Sequence, residues 1–283
     1  MAQQGQEIYR LQMAMGFTDP ETLHKQLVAK YYMIGGEGSV FFAIMVVGIV
    51  QVRKAFKKES ELLARQKTFL HSVTHEFKSP VASLRLQIET LLKRNLNNEQ
   101  QQQALSNALE DTDRLNELLE KILTAAKIDN GELPFQKSEL NVSERLRDIL
   151  GKLLRTFPHR DIKENIQEGV MVHIDSWAFN SIVTNLVENA LLYSPKEQPI
   201  EVDLRKDGNR VLLLVKDNGP GIPMSERKRI FQKFYRMSTS SGYKGTGLGL
   251  YLVDYMVKRH NGTITVKENP PQGSIFEVSL ETE

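Results

Sequence analysis

Apolar positions recur along this chain with three different periods, and each period marks a different region. Residues 34–52 are mostly apolar, with Val40 to Val50 free of charge, and the stretch has the length of roughly 20 residues that a bilayer-crossing helix needs. A buried core helix is the alternative, because Glu37 and several glycines lie near its start. Residues 54–95 read as one long helix continuing from it. There Val73, Phe77, Val81, Leu84, Ile88 and Leu91 recur at steps of three and four, the period of one helix face. Residues 95–98 are a turn. Residues 99–127 form a second helix, with an apolar face of Leu105, Ala108, Leu109, Leu115, Leu118, Leu119, Ile122 and Leu123. Asp129-Asn130-Gly131 ends it, with Gly131 suited to the left-handed cap position. Two antiparallel helices with one apolar face each do not bury it alone, whereas a dimer forming a four-helix bundle does.

After a linker at 132–139 the pattern changes to alternating strands and helices. Residues 140–142 are a short strand, and Ser143 opens a helix to Leu154 with Glu144 in its first turn. Residues 170–174 are a strand, followed by a helix capped by Asp175 or Ser176 and reaching about Leu192. Ile200-Glu201-Val202-Asp203-Leu204 alternates like a half-buried strand, and Asp207-Gly208 turns it into a second at 211–215. A helix over 249–260 leads to a second hairpin, 262–266 with 274–280. The sum is a mixed sheet with helices stacked on one face, an α/β sandwich of about 145 residues.

The N-terminal region takes its meaning from charge. Arg53, Lys54, Lys57 and Lys58 follow the apolar stretch at once, which by the positive-inside rule puts everything after Val52 in the cytoplasm. About 33 mostly polar residues precede that stretch and no small-residue cleavage site ends it, so it is no cleavable signal peptide. Those first residues read as one or two short helices broken at Asp19-Pro20, too few for a ligand-binding core. They are expected to be extracytoplasmic or truncated, and a lost upstream membrane helix and sensor domain would explain so abrupt a start. At 283 residues the chain has room for about two domains, and its net charge of +2 gives no broad basic surface for nucleic acid. It has no cysteine, which excludes disulfides and thiolate metal sites, and its six histidines show no metal-ligand spacing.

One of those histidines carries candidate chemistry. In His75-Glu76-Phe77-Lys78-Ser79-Pro80 the histidine lies two positions from Val73, roughly 200° around the helix, so it points away from the apolar seam. Pro80 removes the amide that would bond the Glu76 carbonyl, loosening the helix just beyond His75. An exposed imidazole beside a carboxylate suits a phosphoryl acceptor: Glu76 takes the proton from one ring nitrogen as the other attacks. A solvated surface histidine is the plain alternative. Further along, Asp217-Asn218-Gly219-Pro220-Gly221 follows a strand, and its glycines let backbone approach a flat ligand closely. Asp217 is placed to accept from an exocyclic amine such as that of adenine. Gly245-Thr246-Gly247-Leu248-Gly249 opens a helix, whose first amides suit phosphate. Asn185 and Asn189 lie at i and i+4, so both amides face one way and fit a magnesium ion that keeps several waters. Taken singly, each motif also reads as an ordinary turn, glycine loop or polar helix face.

In this order, the motifs resemble the sensor histidine kinases of two-component systems over about residues 61–283. His75 to Pro80 resembles the family's H box, Asn185-Leu186-Val187-Glu188-Asn189-Ala190 its N box, and Asp217 to Gly221 its G1 box. Phe231-Gln232-Lys233-Phe234-Tyr235-Arg236 resembles the F box and Gly245 to Gly249 the G2 box. The resemblance implies a single transmembrane helix, a dimeric antiparallel four-helix bundle and an α/β-sandwich ATP-binding domain of the Bergerat (GHKL) fold. The expected division is 1–33, a membrane helix at 34–52, a juxtamembrane helix at 53–62, a dimerisation and histidine phosphotransfer domain at 63–131 and the ATP-binding domain at 139–283.

The resemblance further implies autophosphorylation of His75 from ATP with Glu76 assisting, and transfer to an aspartate of a response-regulator receiver domain. Asn189 would hold Mg2+ with Asn185 close by, Asp217 would read adenine, Tyr193 would stack near the base and Arg236 would neutralise transferring charge. Gly219, Gly221, Lys233, Tyr235, Gly245, Thr246, Gly247, Leu248 and Gly249 complete the expected ATP site. Phe231 and Phe234 are expected to pack a lid at Ser238-Thr239-Ser240-Ser241-Gly242. The implied setting is a homodimer in the cytoplasmic (inner) membrane, contacting lipid, with its kinase domains facing the cytoplasm. Three departures stand out: Leu192 replaces a residue that is basic in many relatives, with Lys196 as a substitute; Ser79 replaces the Thr or Asn of strong phosphatases; and only about 22 residues separate the membrane segment from His75. An ATPase of the wider superfamily and a membrane-bound pseudokinase scaffold are the rival readings.

Overall fold

The computed structural model describes residues 2–16, 20–94, 96–237 and 245–282. The chain divides into two units, Met1–Ala64 and Arg65–Glu283. In the first, α1 (Ala2–Ala14) is followed by the start of α2 (Pro20–Lys93). The expected break at Asp19-Pro20 lies partly outside the described residues. α2 is the one described helix long and apolar enough to cross a membrane, and its most apolar window has no buried residue. A core helix would need a covered face, and Val40, Phe41, Phe42, Ile44, Val47 and Ile49 are all exposed.

In the second unit α2 runs on to Lys93 through Pro80 without interruption, although the missing amide is expected to loosen it there. Asn95 of the expected turn lies outside the described residues. α3 (Asn98–Asp129) starts from a reciprocal cap, in which Asn97 Oδ1 accepts the Gln100 amide at 2.8 Å and Gln100 Oε1 accepts the Asn97 amide at 3.3 Å. At its other end Gly131 has φ 71°, the left-handed conformation expected of it.

The described residues of 137–282 hold two sheets rather than one. β1 (Lys137–Asn141) pairs antiparallel with β3 (Met171–Asp175), so the expected linker at 132–139 ends in a strand. The larger sheet has the order β2-β4-β5-β7-β6, with β2 (Ile162–Ile166), β4 (Ile200–Asp207), β5 (Arg210–Lys216), β6 (Thr263–Glu268) and β7 (Ser274–Glu281). Only β2 pairs in parallel, along one side of β4. Sequence periodicity misses β2 because three polar residues, Lys163-Glu164-Asn165, lie between its two isoleucines and are exposed at a sheet edge.

Helices α4 (Val142–Thr156), α5 (Ser176–Tyr193) and α6 (Gly249–Arg259) complete this part. Leu146, Leu150, Phe179, Ile182, Leu186, Leu252 and Met256 from the helices are fully buried with Ile200, Leu204 and Leu213 of the sheet. Each such side chain contributes about 1.5–3 kcal/mol through burial. α4 begins one residue earlier than Ser143, because Asn141 Oδ1 accepts the Glu144 amide as the cap. Ser143 is instead buried, donating to Gln167 O at 2.6 Å and accepting the Val170 amide. Asp175, not Ser176, caps α5 through the Ala178 amide.

His260 ties α6 to the start of α5. Its Nε2 accepts the Asp175 amide at 3.2 Å, and its Nδ1 lies 2.7 Å from Met256 O. Burial pushes its pKa below the ordinary 6.5, against the opposing bond to Met256. The folded state therefore favours neutral imidazole, and stability is lost as pH falls below about 6.5, where the unfolded chain takes up the proton first. Thermal unfolding followed from pH 7 to 5 should show a falling midpoint whose slope is smaller in His260→Gln. Equal slopes in the two proteins would remove His260 from the account.

Candidate functional site

The site begins on α2. His75 is exposed, as its position opposite the apolar seam requires, and Glu76 beside it is half-buried and lines a large cavity. Ser79, one turn further, is exposed on the helix and does not line the cavity. Arg236, at the end of Phe231-Gln232-Lys233-Phe234-Tyr235-Arg236, reaches this helix from the sheet-bearing part, and its Nη1 donates to Ser72 Oγ at 3.0 Å. That bond sets a cation within one helical turn of His75.

The other residues of the same segment also engage the helices. Phe234 packs on Phe69, with ring centroids 4.1 Å apart and an interplanar angle of 31°. Gln232 accepts from Arg65, whose guanidinium lies 5.3 Å from the Tyr235 ring centre. Lys233 pairs with Asp129, which also accepts from Tyr251 at 3.4 Å. The expected ATP contact of Lys233 is therefore not what this geometry gives it, because Lys233 is absent from the cavity lining. Tyr235 lines the cavity, but its hydroxyl bonds to Glu226. The lid residues that Phe231 and Phe234 were expected to pack, 238–242, lie outside the described residues.

Phe234 carries strain. Its φ is 63°, a left-handed conformation that costs a bulky residue about 1–3 kcal/mol. Its amide donates to Gly247 O at 3.1 Å, and a Cβ on Gly247 would come within 2.8 Å of Tyr235 O. Gly247, itself at φ 71°, is thus the residue that lets this segment close against the second glycine loop.

The cavity is about 1060 Å³ and brings Asp217, Asn185, Asn189, Tyr193, Gly221, Gly245, Thr246, Gly247, Gly249 and Arg236 to one surface. Leu192 and Lys196 line it as well. Besides Lys233, two residues of the expected ATP site lie off it: Gly219, and Leu248, whose side chain is buried in the core. Asp217 is fixed at the end of β5. Its Oδ1 accepts the amides of Gly219 at 2.8 Å and Ser274 at 3.1 Å, and its own carbonyl accepts from Asn269 Nδ2. A Cβ on Gly273, at φ 137°, would meet Asp217 O at 2.0 Å, so only glycine lets β7 start so close to this carboxylate. Burial is the main influence on Asp217 and raises its pKa, while the bonds to Gly219 and Ser274 oppose it. A desolvated carboxylate of this kind gains most from a ligand that donates a hydrogen bond.

One end of the cavity lies at the start of α6. Among the described residues no side chain caps this helix, whose N-cap residue is Leu248, and free amides at a helix start suit an anionic group. Asn185 is buried, and its Nδ2 donates to Ser181 O at 2.8 Å, which turns Oδ1 toward Gly249. A Cβ on Gly249 would come 2.8 Å from that oxygen. Asn185 therefore sets an amide oxygen beside the glycine loop, and Asn189, one turn further, lines the same cavity; amide oxygens are a donor set that fits a magnesium ion retaining most of its waters. No cluster of His, Asp or Glu among the described residues offers a stronger metal site. Between the two asparagines, Glu188 pairs with Lys121 of α3 at 3.2 Å, both side chains being half-buried. Glu117 lies close by, its pKa raised by burial and then by Glu188.

Several of these contacts have no sequence signal. Phe69 with Phe234, Asp129 with Lys233 and Lys121 with Glu188 join residues far apart in the chain, and no local pattern marks the partners. Ser274 is legible only as a strand start, and Gly273 carries no signal of its own.

Comparison with known proteins gives two family matches. Residues 65–131 match the His Kinase A (phospho-acceptor) domain, and residues 174–283 match the histidine kinase-, DNA gyrase B- and HSP90-like ATPase family. Over 224 residues the chain is 33% identical to the sensor protein kinase PmrB of Pseudomonas aeruginosa, covering 76% of this chain and 46% of that protein. Over 217 residues it is 31% identical to the probable sensor histidine kinase TcrY of Mycobacterium tuberculosis, covering 76% and 45%. The chain thus spans about half the length of these curated relatives. The solved histidine kinase AdeS of Acinetobacter baumannii shares the fold, with a TM-score of 0.55 at 18% identity over 74% of this chain and 98% of that one. Full-length ShkA in complex with AMPPNP shares it with a TM-score of 0.53 at 24% identity, over 76% and 46%.

Proposed function

Because the chain belongs to the sensor histidine kinases of two-component systems, we propose that it moves the terminal phosphoryl group of ATP onto His75 and then to an aspartate of a response-regulator receiver domain. The observation that carries this reading is the reach of Arg236. It lines the cavity that holds Asp217 and the second glycine loop, and it bonds to Ser72 beside His75. One side chain thereby links the cavity to the helix that bears His75, one turn from the histidine.

On this reading Asp217 accepts from the adenine amine, and the ring of Tyr193 covers the base. The amides opening α6 hold the phosphates. Asn189, with Asn185, would hold Mg2+, which when bound supplies charge neutralisation across the phosphates. A ring nitrogen of His75 attacks the γ-phosphorus, forming the N–P bond as the bond to the ADP oxygen breaks. Glu76 takes the proton from the other ring nitrogen, and Arg236 stabilises the equatorial oxygens. The receiver carboxylate later displaces the imidazole from phosphorus in the same sense.

The assembly follows from surfaces the single chain leaves open. Leu86, Leu92, Leu105, Leu109, Leu119 and Leu123 of α2 and α3 are exposed. They supply the core of a homodimeric four-helix bundle built from residues 63–131, with the ATP-binding domain at 139–283. Residues 34–52 would cross the cytoplasmic membrane and 53–62 link it to the bundle. Incubation with γ-labelled ATP and magnesium separates this reading from its rivals. Acid-labile label on the protein supports a kinase, free phosphate alone an ATPase, and neither a scaffold.

Ser79 lies one turn after His75 on the same helix face, where a hydroxyl can orient water for hydrolysis of the regulator's aspartyl phosphate. Ser79→Ala should leave autophosphorylation intact and lengthen the lifetime of the phosphorylated regulator severalfold, whereas Ser79→Thr keeps or shortens it. A decay time-course with purified regulator decides this. Unchanged lifetimes in both variants would leave Ser79 only its place before Pro80.

A further inference from the structure

We propose that Arg53, Lys54, Lys57 and Lys58 form a docking face for the headgroups of anionic phospholipids. The inference rests on the membrane reading of residues 34–52 and adds a lipid class to it. At about 100° per residue the four cations fall within an arc of about 140° on α2, with Phe56 some 60° beyond its edge. All four are exposed, and the charge-free run from Val40 ends at Val52, immediately before them. None takes part in an ion pair among the described residues. The first acids of this region, Glu59 and Glu61, come only after the cluster.

Among the described residues the four cations have no ion pair at the end of an apolar run, although Glu61 follows one turn later on the same face, and on the membrane reading they lie within a Debye length of the headgroup layer. Phosphodiester oxygens are the complementary groups there. The Arg53 guanidinium suits two phosphate oxygens at once, and the lysines add compact point charges. Phe56, 68% exposed, adds an apolar ring at the same level of the helix, available to the acyl chains beneath the headgroups. Zwitterionic headgroups carry their own cation and gain little from such a face. Orientation during insertion would be served by the count of positive charges alone; the single arc beside an aromatic ring suits selection among lipids.

The test uses the full chain reconstituted into vesicles of equal parts phosphatidylcholine and phosphatidylglycerol. It is then extracted gently, and the lipids that remain bound are counted by native mass spectrometry. Each cation near an anionic surface is worth roughly a fivefold preference. The unaltered chain should therefore retain phosphatidylglycerol over phosphatidylcholine by about fivefold or more, falling as salt rises. Arg53→Gln, Lys54→Gln, Lys57→Gln and Lys58→Gln combined should retain the two lipids equally. Lys54→Arg, Lys57→Arg and Lys58→Arg combined should keep the preference, which separates charge from any fault of insertion. Equal retention by a chain that enters the vesicles overturns the lipid face and leaves the membrane reading standing. Failure of the unaltered chain to enter these vesicles overturns both.

Discussion

Replacing His75 by glutamine should abolish incorporation of phosphate from ATP while leaving nucleotide affinity within about twofold of its starting value. The two halves of this expectation come from different parts of the structure. On the proposed mechanism the imidazole is the nucleophile, and no amide substitutes for it in forming an N–P bond. It is also exposed on α2 and is not among the residues lining the cavity, so ATP loses no contact with it. His71 is the nearest alternative acceptor, one helical turn earlier and equally exposed. Filter binding of labelled protein, with calorimetry for ATP, reads both quantities. Persistent labelling of His75→Gln, or label mapped to His71, would move the acceptor and with it the role given to Glu76.

The second large effect is expected at Asp217. Asp217→Asn keeps the shape of the side chain and an oxygen able to accept from Gly219 and Ser274, so the turn should still form. What changes is the charge presented to the base and the acceptor capacity that remains. Loss of a hydrogen bond to a charged acceptor costs about 1.5–3 kcal/mol, or roughly ten- to a hundredfold in ATP affinity. GTP should compete poorly with the unaltered chain, because guanine presents a carbonyl where adenine presents an amine. Equal affinity for ATP and GTP would contradict the placement of Asp217 at the base. An unchanged thermal midpoint in Asp217→Asn would show that the loss is one of binding and not of fold.

Much of the architecture was legible because its signals are local. The hairpin at Asp207-Gly208 turns where expected, with Gly208 at φ 59°, and Gly131 closes α3 as a left-handed residue. The helix bearing Asn185 and Asn189 ends within a residue of its expected limit. What escaped has one of two physical causes. β2 is an edge strand with polar residues between its two isoleucines, so it shows neither alternation nor an apolar run. Ser143 resembles a helix cap by type, but its hydroxyl is spent joining Gln167 O to the Val170 amide, and Asn141 caps instead.

The site divides in the same way. The glycine loops and the asparagine pair are contiguous motifs, and the chain brings them to one cavity. The segment Phe231 to Arg236 is contiguous too, yet its partners are not, so its contacts with Phe69, Ser72 and Asp129 could not be read from order along the chain. The strained φ of Phe234 has no sequence signature at all, since phenylalanine is a poor choice for that conformation.

The central claim, that ATP held in the cavity phosphorylates the helix histidine, is tested most directly on the unaltered chain. The purified protein is incubated with ATP and magnesium, digested at neutral pH and mapped by mass spectrometry without acid. The account predicts one phosphorylated peptide, modified at His75, whose phosphate is lost on brief acid treatment and survives base. A phosphate on serine or threonine, on another histidine, or on no residue while ATP is consumed would contradict it.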